Sequence, residues 1–415
     1  MVNIVVVGIG GYGRTLLDLL LANQDRLDCR VVAAADTRLG SLAKQDQAIA
    51  ARLSAQGAEL FDDAIKMYAA WKGRAQAAYV ATGIPSHEPL AIAAMEAGFH
   101  LHLEKPPAAT AQEVDRILDA SARTGRMILV GFHFMHSQTL HAIKQRLLDG
   151  RLGPVQSIGC WALWPRDRRY FTRNDWSGRL RSGRRWVLDG PMTNALAHEI
   201  ANLLYLCGPT PLEWADPAGV RAELYAAGPV ESHDTAAVEI IMAGGARTHF
   251  LATHCCQSPD QVGPNFVIQA QRGRVVYDHE TGAAVTYADG TGERIDLQKE
   301  HPRAAMIQNF VEAVRAGDAS ILRCPLEQAR KMVLVADAAH ESSGTIHRIG
   351  PEFSMVSDAD SDRQRTHVAG IDAAIERAAR EGRLLSDLDD PPPWAVRTTG
   401  FDPAGYRQFP KNFRS

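Results

Sequence analysis

Asn3-Ile4-Val5-Val6-Val7 runs directly into Gly8-Ile9-Gly10-Gly11-Tyr12-Gly13, and an apolar helical stretch follows. The order of these three parts says more than the glycines alone. In a G-x-G-x-x-G turn between a strand and a helix, the first glycine makes the tight turn. The second lets backbone approach a diphosphate, and the third packs helix on sheet. Those roles fall on Gly8, Gly10 and Gly13, with Ile9, Gly11 and Tyr12 completing the turn. The helix N-terminus attracts anions because its first N–H groups lack internal partners. Cys29-Arg30-Val31-Val32-Ala33-Ala34-Ala35 reads as a second strand ending in Asp36, at the offset of about twenty residues where an acid holds ribose hydroxyls. The pattern predicts a dinucleotide site for NAD. Asp36 taken alone could instead cap a helix, and Thr37-Arg38 leaves room for a 2′-phosphate and hence NADP.

Strand and helix patterns keep alternating after Asp36. Strands are expected at Leu60-Phe61, Ala77 to Ala81, His100 to Leu103 and Met127 to Val130, with helices at Glu88 to Ala97 and Thr110 to Arg123. Thr110-Ala111-Gln112-Glu113 has the capping-box form. Apolar strands separated by helices imply a doubly wound parallel sheet, so residues 1–130 are read as a Rossmann domain. From about Val155 strands follow one another: Gln156 to Leu163, Ala237 to Met242, Thr248 to His254, Phe266 to Ala270 and Arg274 to Tyr277. Residues 131–350 are therefore read as an α+β domain with an open, mainly antiparallel sheet. It closes with helices at Ala304 to Arg315 and Leu326 to Glu341. Residues 351–415 form a C-terminal arm with a helix at Ile371 to Arg380. The arm is expected to wrap the body or a neighbouring subunit, since Trp394, Phe401, Tyr406, Phe409 and Phe413 are costly to leave in water.

At 415 residues the chain exceeds a single core, and 46% hydrophobic with 22% charged residues is ordinary for a globular enzyme. A net charge of -3 offers no general field for nucleic acid or membrane. The six cysteines form no C-x-x-C and no framework, and the histidines no ligand spacing, so no metal is expected. The chain starts in a strand without a basic leader, which predicts a cytoplasmic location.

The expected strand His100 to Leu103 runs into Glu104-Lys105-Pro106-Pro107. Ligands of parallel sheets bind beyond the carboxyl ends of the strands, so Lys105 is delivered to where a nicotinamide ring should lie. Its ammonium can donate to a substrate oxygen and stabilise alkoxide character during hydride transfer. A bland alternative is a surface lysine paired with Glu104.

The glycine turn, Ala81-Thr82-Gly83-Ile84-Pro85-Ser86-His87 and Glu104-Lys105-Pro106, in that order, resemble the glucose-fructose oxidoreductase, inositol dehydrogenase and rhizopine-catabolism family, Gfo/Idh/MocA. The resemblance covers about Met1 to Gly350. It implies an NAD(P)-dependent oxidoreductase of sugars, inositols or related polyols, acting on a secondary alcohol or ketone. It makes Lys105 the catalytic lysine, with Thr82, Gly83, His87 and Glu104 bordering the cofactor. The family's D-x-G-x-H pattern corresponds here to Asn194-Ala195-Leu196-Ala197-His198. His198 is retained as a general acid or base, while Asn194 can only bind and orient a hydroxyl. Residues four apart share a helix face, so both are expected to face the cleft.

Upstream, aromatic residues from Trp161 to Trp186 alternate with eight arginines, and Trp176, Arg179 and Trp186 are read as substrate contacts, against the alternatives of a structural or oligomer role and of a nucleic-acid surface. His133 and His136 are read either as lining the same cleft or as occupying an ordinary loop position. Relatives suggest a homodimer or homotetramer, for which an exposed sheet face would suit. Two other readings are an NAD-binding regulator without turnover and a glycosidase that uses NAD for transient oxidation.

Overall fold

Six short apolar strands that each leave a neighbour's edge unpaired are satisfied by lying side by side. In the computed structural model, which describes residues 1–415, they do so as β1 (Val2–Val7), β2 (Cys29–Ala35), β3 (Glu59–Phe61), β4 (Ala77–Val80), β5 (His100–Leu103) and β6 (Ile128–Val130). All pairs are parallel, in the order β3-β2-β1-β4-β5-β6. The order reverses direction between β1 and β4, the switch point at which open α/β sheets bind ligands. Ile4 and Val6 are fully buried with Leu16, Leu17 and Leu20 of the helix Tyr12–Leu27.

The chain divides into two compact units, and the division differs from the one read in the sequence. The first comprises Met1–Ala108, Gln112–His136 and His301–Arg330; the second holds Ala109–Ala111, Ser137–Glu300 and Lys331–Ser415. The helix Arg303–Ala316 thus belongs to the nucleotide-fold unit, not to the second domain. Its stripe of Met306, Ile307, Phe310 and Val311 is buried in the same core as β1 and the helix Tyr12–Leu27. Phe310 meets the Tyr79 ring edge-on at 5.4 Å. An apolar stripe goes where matching apolar surface is available, and sequence proximity does not decide that.

The second unit is built on a nine-stranded sheet. In chain order its strands are β7 (Val155–Leu163), β10 (Pro217–Ala226), β11 (Thr235–Met242), β12 (Arg247–Thr253), β13 (Val262–Ala270), β14 (Gly273–Asp278), β15 (Gly282–Tyr287), β16 (Gly292–Ile295) and β17 (His347–Arg348). The two-stranded hairpin β8 (Arg181–Ser182) and β9 (Arg185–Trp186) lies apart. The spatial order is β16-β15-β14-β13-β7-β12-β11-β10-β17. Pairing is antiparallel except for β7 with β12 and β10 with β17. Strands β10, β15 and β16 escape the sequence pattern. In β10 the reason is Arg221 and Glu223: the buried Glu223 accepts from Ser386 and Tyr225, and Arg221 pairs with Asp387, so the partners lie far along the chain.

Residues 351–415 fold onto this unit as an integral layer. The helix Ile371–Glu381 lies on β7 and β12, burying Ile371, Ile375, Ala378 and Ala379 against Trp161, Leu163 and Leu251. Central strands of a sheet face that would have suited a second subunit are therefore covered by the chain's own arm. Gly159 permits the approach, because any Cβ there would strike the Ala379 carbonyl. The hairpin β18 (Ser354–Ser357) and β19 (Arg365–Val368) precedes the helix. Beyond it, Trp394 packs edge-on against Tyr225 at 5.0 Å. Glu341 accepts hydrogen bonds from the Tyr406 hydroxyl and from the backbone of Lys411, Asn412 and Phe413.

Candidate functional site

In the first unit, the turn between β1 and the helix Tyr12–Leu27 has room for glycine alone at three points. Gly8 has φ +96°, and a Cβ there would strike the Ala81 carbonyl; one on Gly13 would strike the carbonyl of Gly8. At Gly10 a Cβ would lie 2.9 Å from Asp46 Oδ2 and 3.0 Å from an Arg38 guanidinium nitrogen. The helix has no side-chain cap and no acid in its first turn, so its positive end is left for an incoming anion. Asp36 Oδ2 accepts from the N–H groups of Ile9 (2.9 Å) and Gly10 (3.3 Å), and Oδ1 accepts from Arg38 N–H (2.9 Å). The acid thus ties the end of β2 to the turn while keeping lone pairs for hydroxyl donors. Thr37 and Arg38 are exposed. Arg14 pairs with Asp46 at 2.8 Å, a contact that the fingerprint does not announce.

Two further loops leave the carboxyl ends of β4 and β5. His87 is buried, with Nε2 3.0 Å from the Thr82 carbonyl and Nδ1 2.8 Å from that of Pro106. Burial lowers its pKa, and a neutral imidazole donates only once, so one of these contacts is a hydrogen bond and the other a close approach. His87 therefore joins the Thr82-Gly83 loop to the Lys105-Pro106 segment, whose peptide bond is cis. The Thr82 hydroxyl is buried without a partner, an opening for a ligand amide or hydroxyl. Glu104 is buried, and desolvation pushes its carboxyl up to about 7 against the opposing pull of Lys105 and Arg303. Its Oε2 accepts from Lys105 N–H at 3.2 Å, and a Cβ on Gly131 would lie 2.6 Å from Oε1.

Tyr12 of the turn accepts from Arg303 Nε at 2.9 Å. His133, read as a substrate contact, lies in this unit with its ring 4.5 Å from Phe134 and 4.7 Å from His301. His136 sits 3.2 Å from Asn309. Arg303 and His301 had no local signal, since each is brought in by a segment far along the chain.

The remaining predicted residues lie in the second unit. Asn194 falls in a π-helical turn, Pro191–Ala195, and Leu196 (φ -117°, ψ 23°) separates it from the helix Ala197–Leu206 that carries His198. The expectation that Asn194 and His198 share one regular helix face is corrected: Leu196 breaks the helix between them. Asn194 donates to Asp189 Oδ1 at 2.7 Å, and Gly178 N–H donates to Asp189 Oδ2 at 2.6 Å. Asp189 N–H in turn donates to the Arg179 carbonyl at 3.0 Å. A buried carboxylate is thus present five residues before the asparagine, where no motif predicts it. His198 is buried beside Glu199, whose carboxyl is pushed up to about 7 by desolvation and hydrogen-bonds Asn202. Trp176 is half-buried and capped by Asn174, whose Oδ1 accepts from its N–H at 3.1 Å. Arg179 is exposed. Trp186 is buried between Arg181, 3.5 Å over its ring, and Phe409, 5.0 Å away, which gives it a packing role against the arm.

A doubly wound sheet with a glycine turn at its switch point, followed by an α+β unit on a mixed sheet, defines a dinucleotide-fold architecture. Residues 2–132 match the profile of the Gfo/Idh/MocA oxidoreductase family, described as an NAD-binding Rossmann fold. It is 30% identical over 207 residues to inositol 2-dehydrogenase of Serratia proteamaculans (strain 568), which is 49% of this chain and 54% of that protein. The figures are the same for inositol 2-dehydrogenase of Azotobacter vinelandii. The chain thus spans about half the length of these curated relatives. Among solved structures, levoglucosan dehydrogenase in complex with NADH is similar with a TM-score of 0.70 and 19% identity, covering 82% of this chain and 96% of that one. The WlbA dehydrogenase from Bordetella pertussis, in complex with NADH and UDP-GlcNAcA, gives 0.66 and 21% over the same shares. These identities establish a shared fold. No helix is long and apolar enough to cross a membrane.

Proposed function

We propose that this chain is an NAD-dependent dehydrogenase or reductase acting on a secondary alcohol or ketone of a sugar, inositol or related polyol. The observation that carries the reading is the joint presence, at the carboxyl edge of one parallel sheet, of the glycine turn, the Thr82 hydroxyl and Glu104-Lys105-Pro106. Gly8 to Gly13 would hold the diphosphate and Asp36 the ribose hydroxyls, and bound NAD supplies the hydride acceptor. Asp36 beside the turn favours NAD over NADP; the exposed Arg38, with Nε 3.7 Å from Asp36, leaves NADP as the weaker alternative. Lys105 polarises the substrate oxygen as an ammonium, and His198 accepts or returns the hydroxyl proton. His133, Trp176, Arg179 and Asn194 complete the proposed substrate contacts. The proposed setting is a cytoplasmic homo-oligomer; an NAD-binding regulator and an NAD-dependent glycosidase are the competing readings.

The test is NADH formation across a panel of inositols, aldoses and uronates. Net NADH supports the dehydrogenase. NAD binding without turnover of any member overturns it in favour of the regulator, and release of an aglycone without net NADH points to the glycosidase.

A further inference from the structure

The loop from Trp164 to Trp176 in the second unit carries four arginines against two aspartates, Asp167 and Asp175. The Arg166 guanidinium carbon lies 4.6 Å from the centre of the Tyr170 ring and 5.3 Å from that of Trp164. Arg173 lies 3.6 Å from the same tyrosine ring and 5.6 Å from Trp176. The Arg166 side chain makes no hydrogen bond, and its Nε is buried without a partner. Arg173 donates to the Tyr170 carbonyl at 2.5 Å and also reaches the Tyr170 hydroxyl. Of the loop's two carboxylates, Asp167 is occupied by Arg169, and Asp175 accepts from the Ser182 hydroxyl at 3.4 Å. Asp189 is committed to Gly178 and Asn194.

Against this loop packs His254, 2% exposed, with its ring 5.8 Å from Tyr170 and 6.4 Å from Phe171. Its Nδ1 lies 2.8 Å from the Trp164 carbonyl and so carries the proton, which leaves a bare Nε2 buried with no partner. Two guanidinium groups on one aromatic ring repel each other unless an anion lies between or beside them. Cation–π contacts with Tyr170, Trp164 and Trp176 hold both groups beside one ring, and a guanidinium fork suits a two-oxygen acceptor. The loop is itself held in place: Arg168 N–H donates to the Gln364 carbonyl (2.9 Å) and Arg169 N–H to that of Asp362 (3.2 Å), both from the arm. The same chain segment continues into Trp176, Arg179, Asp189 and Asn194.

We propose that Arg166 and Arg173 form a subsite for an oxyanion, a carboxylate or phosphate group, borne by the polyol substrate. That the anion is part of a substrate rests on the dehydrogenase reading; that the site binds an oxyanion does not. The unpartnered His254 Nε2 would accept from a neighbouring hydroxyl, so a hydroxylated acid fits the donor and acceptor set better than a bare ion.

Isothermal titration of the full chain without cofactor tests this, using inorganic phosphate, D-glucuronate, D-glucose 6-phosphate and neutral D-glucose. Inorganic phosphate and at least one acidic sugar should bind, with D-glucose at least tenfold weaker; glucuronate against glucose 6-phosphate tells carboxylate from phosphate. Arg166→Gln with Arg173→Gln should weaken anion binding at least tenfold, and Arg247→Gln, on the sheet beside Glu239, should leave it unchanged. Arg173 is exposed, so the single Arg173→Gln variant serves if the double variant does not fold. Absence of binding by both phosphate and the acidic sugars, or equal binding by the arginine variants, overturns the subsite. Anion binding that persists while no polyol yields NADH would instead sink only the dehydrogenase reading.

Discussion

At the scale of single residues, the turn and the lysine make separable demands. Lys105→Ala removes one donor to developing negative charge, so turnover should fall about a hundred- to a thousandfold while NADH affinity stays close to wild type. Steady-state rates and NADH fluorescence titration distinguish the two, and unchanged turnover would remove Lys105 from the chemistry. Asp36→Ala should act the other way. Its carboxylate holds the N–H groups of Ile9 and Gly10 as well as facing the ribose position, and charge-assisted bonds of this kind contribute about 1.5–3 kcal/mol each. NADH affinity should drop at least tenfold, and an Asp36→Ala protein that binds NADH normally would contradict the assignment. Gly8, Gly10, Gly13 and Asp36 were legible as parts of one turn because their spacing is dictated by local geometry. Asp189 and Arg303 were not. Asp189 meets Asn194 through the π-helical turn Pro191–Ala195, which no sequence pattern announces, and Arg303 meets Tyr12 across 291 residues of chain.

Individual elements were legible wherever one face of a strand or helix is apolar. Strands β2 and β5 fall where the sequence places them, because residues 31–35 and 101–103 are continuous buried runs. Strand β10 was hidden because its polar residues find partners in the arm. The arm helix Ile371–Glu381 was legible as a helix but not as the cover of β7 and β12, since nothing in its own sequence names the surface it seals. Its seating depends on Gly159. Gly159→Ala drives a methyl into the Ala379 carbonyl and should cost about 1–3 kcal/mol. The denaturation midpoint should fall, and limited proteolysis should cut first within residues 351–395. A variant with wild-type stability and an uncut arm would mean that the helix is not held against the strand.

For the molecule as a whole, buried imidazoles set the response to acid. Burial lowers His102 and His254 to about 3 and His340 to about 4, and lowers His87 and His233 in the same direction. Their folded-state values lie below the ordinary value of about 6.5, so the unfolded chain takes up protons first. The stability they contribute is fully present above about pH 6.5 and is lost as pH falls towards 4–3. Glu104 and Glu199, raised to about 7, work oppositely: each favours the fold below its ordinary range and loses that contribution as pH rises through 7. With His100, His301 and His347 also lowered and Glu223 and Asp234 also raised, eight imidazoles outweigh four carboxyls, so the urea midpoint should be lower at pH 5 than at pH 7. An equal or higher midpoint at pH 5 would show that these histidines are not neutral in the native state.

The arm also has a consequence for the order in which the protein is made. Every strand of the nine-stranded sheet leaves the ribosome before Ile371–Glu381, yet that helix seals Trp161, Leu163 and Leu251 from water. During synthesis the nascent sheet must therefore wait with a bare oily face until its lid emerges. That interval is when chaperone demand and inclusion-body formation should concentrate.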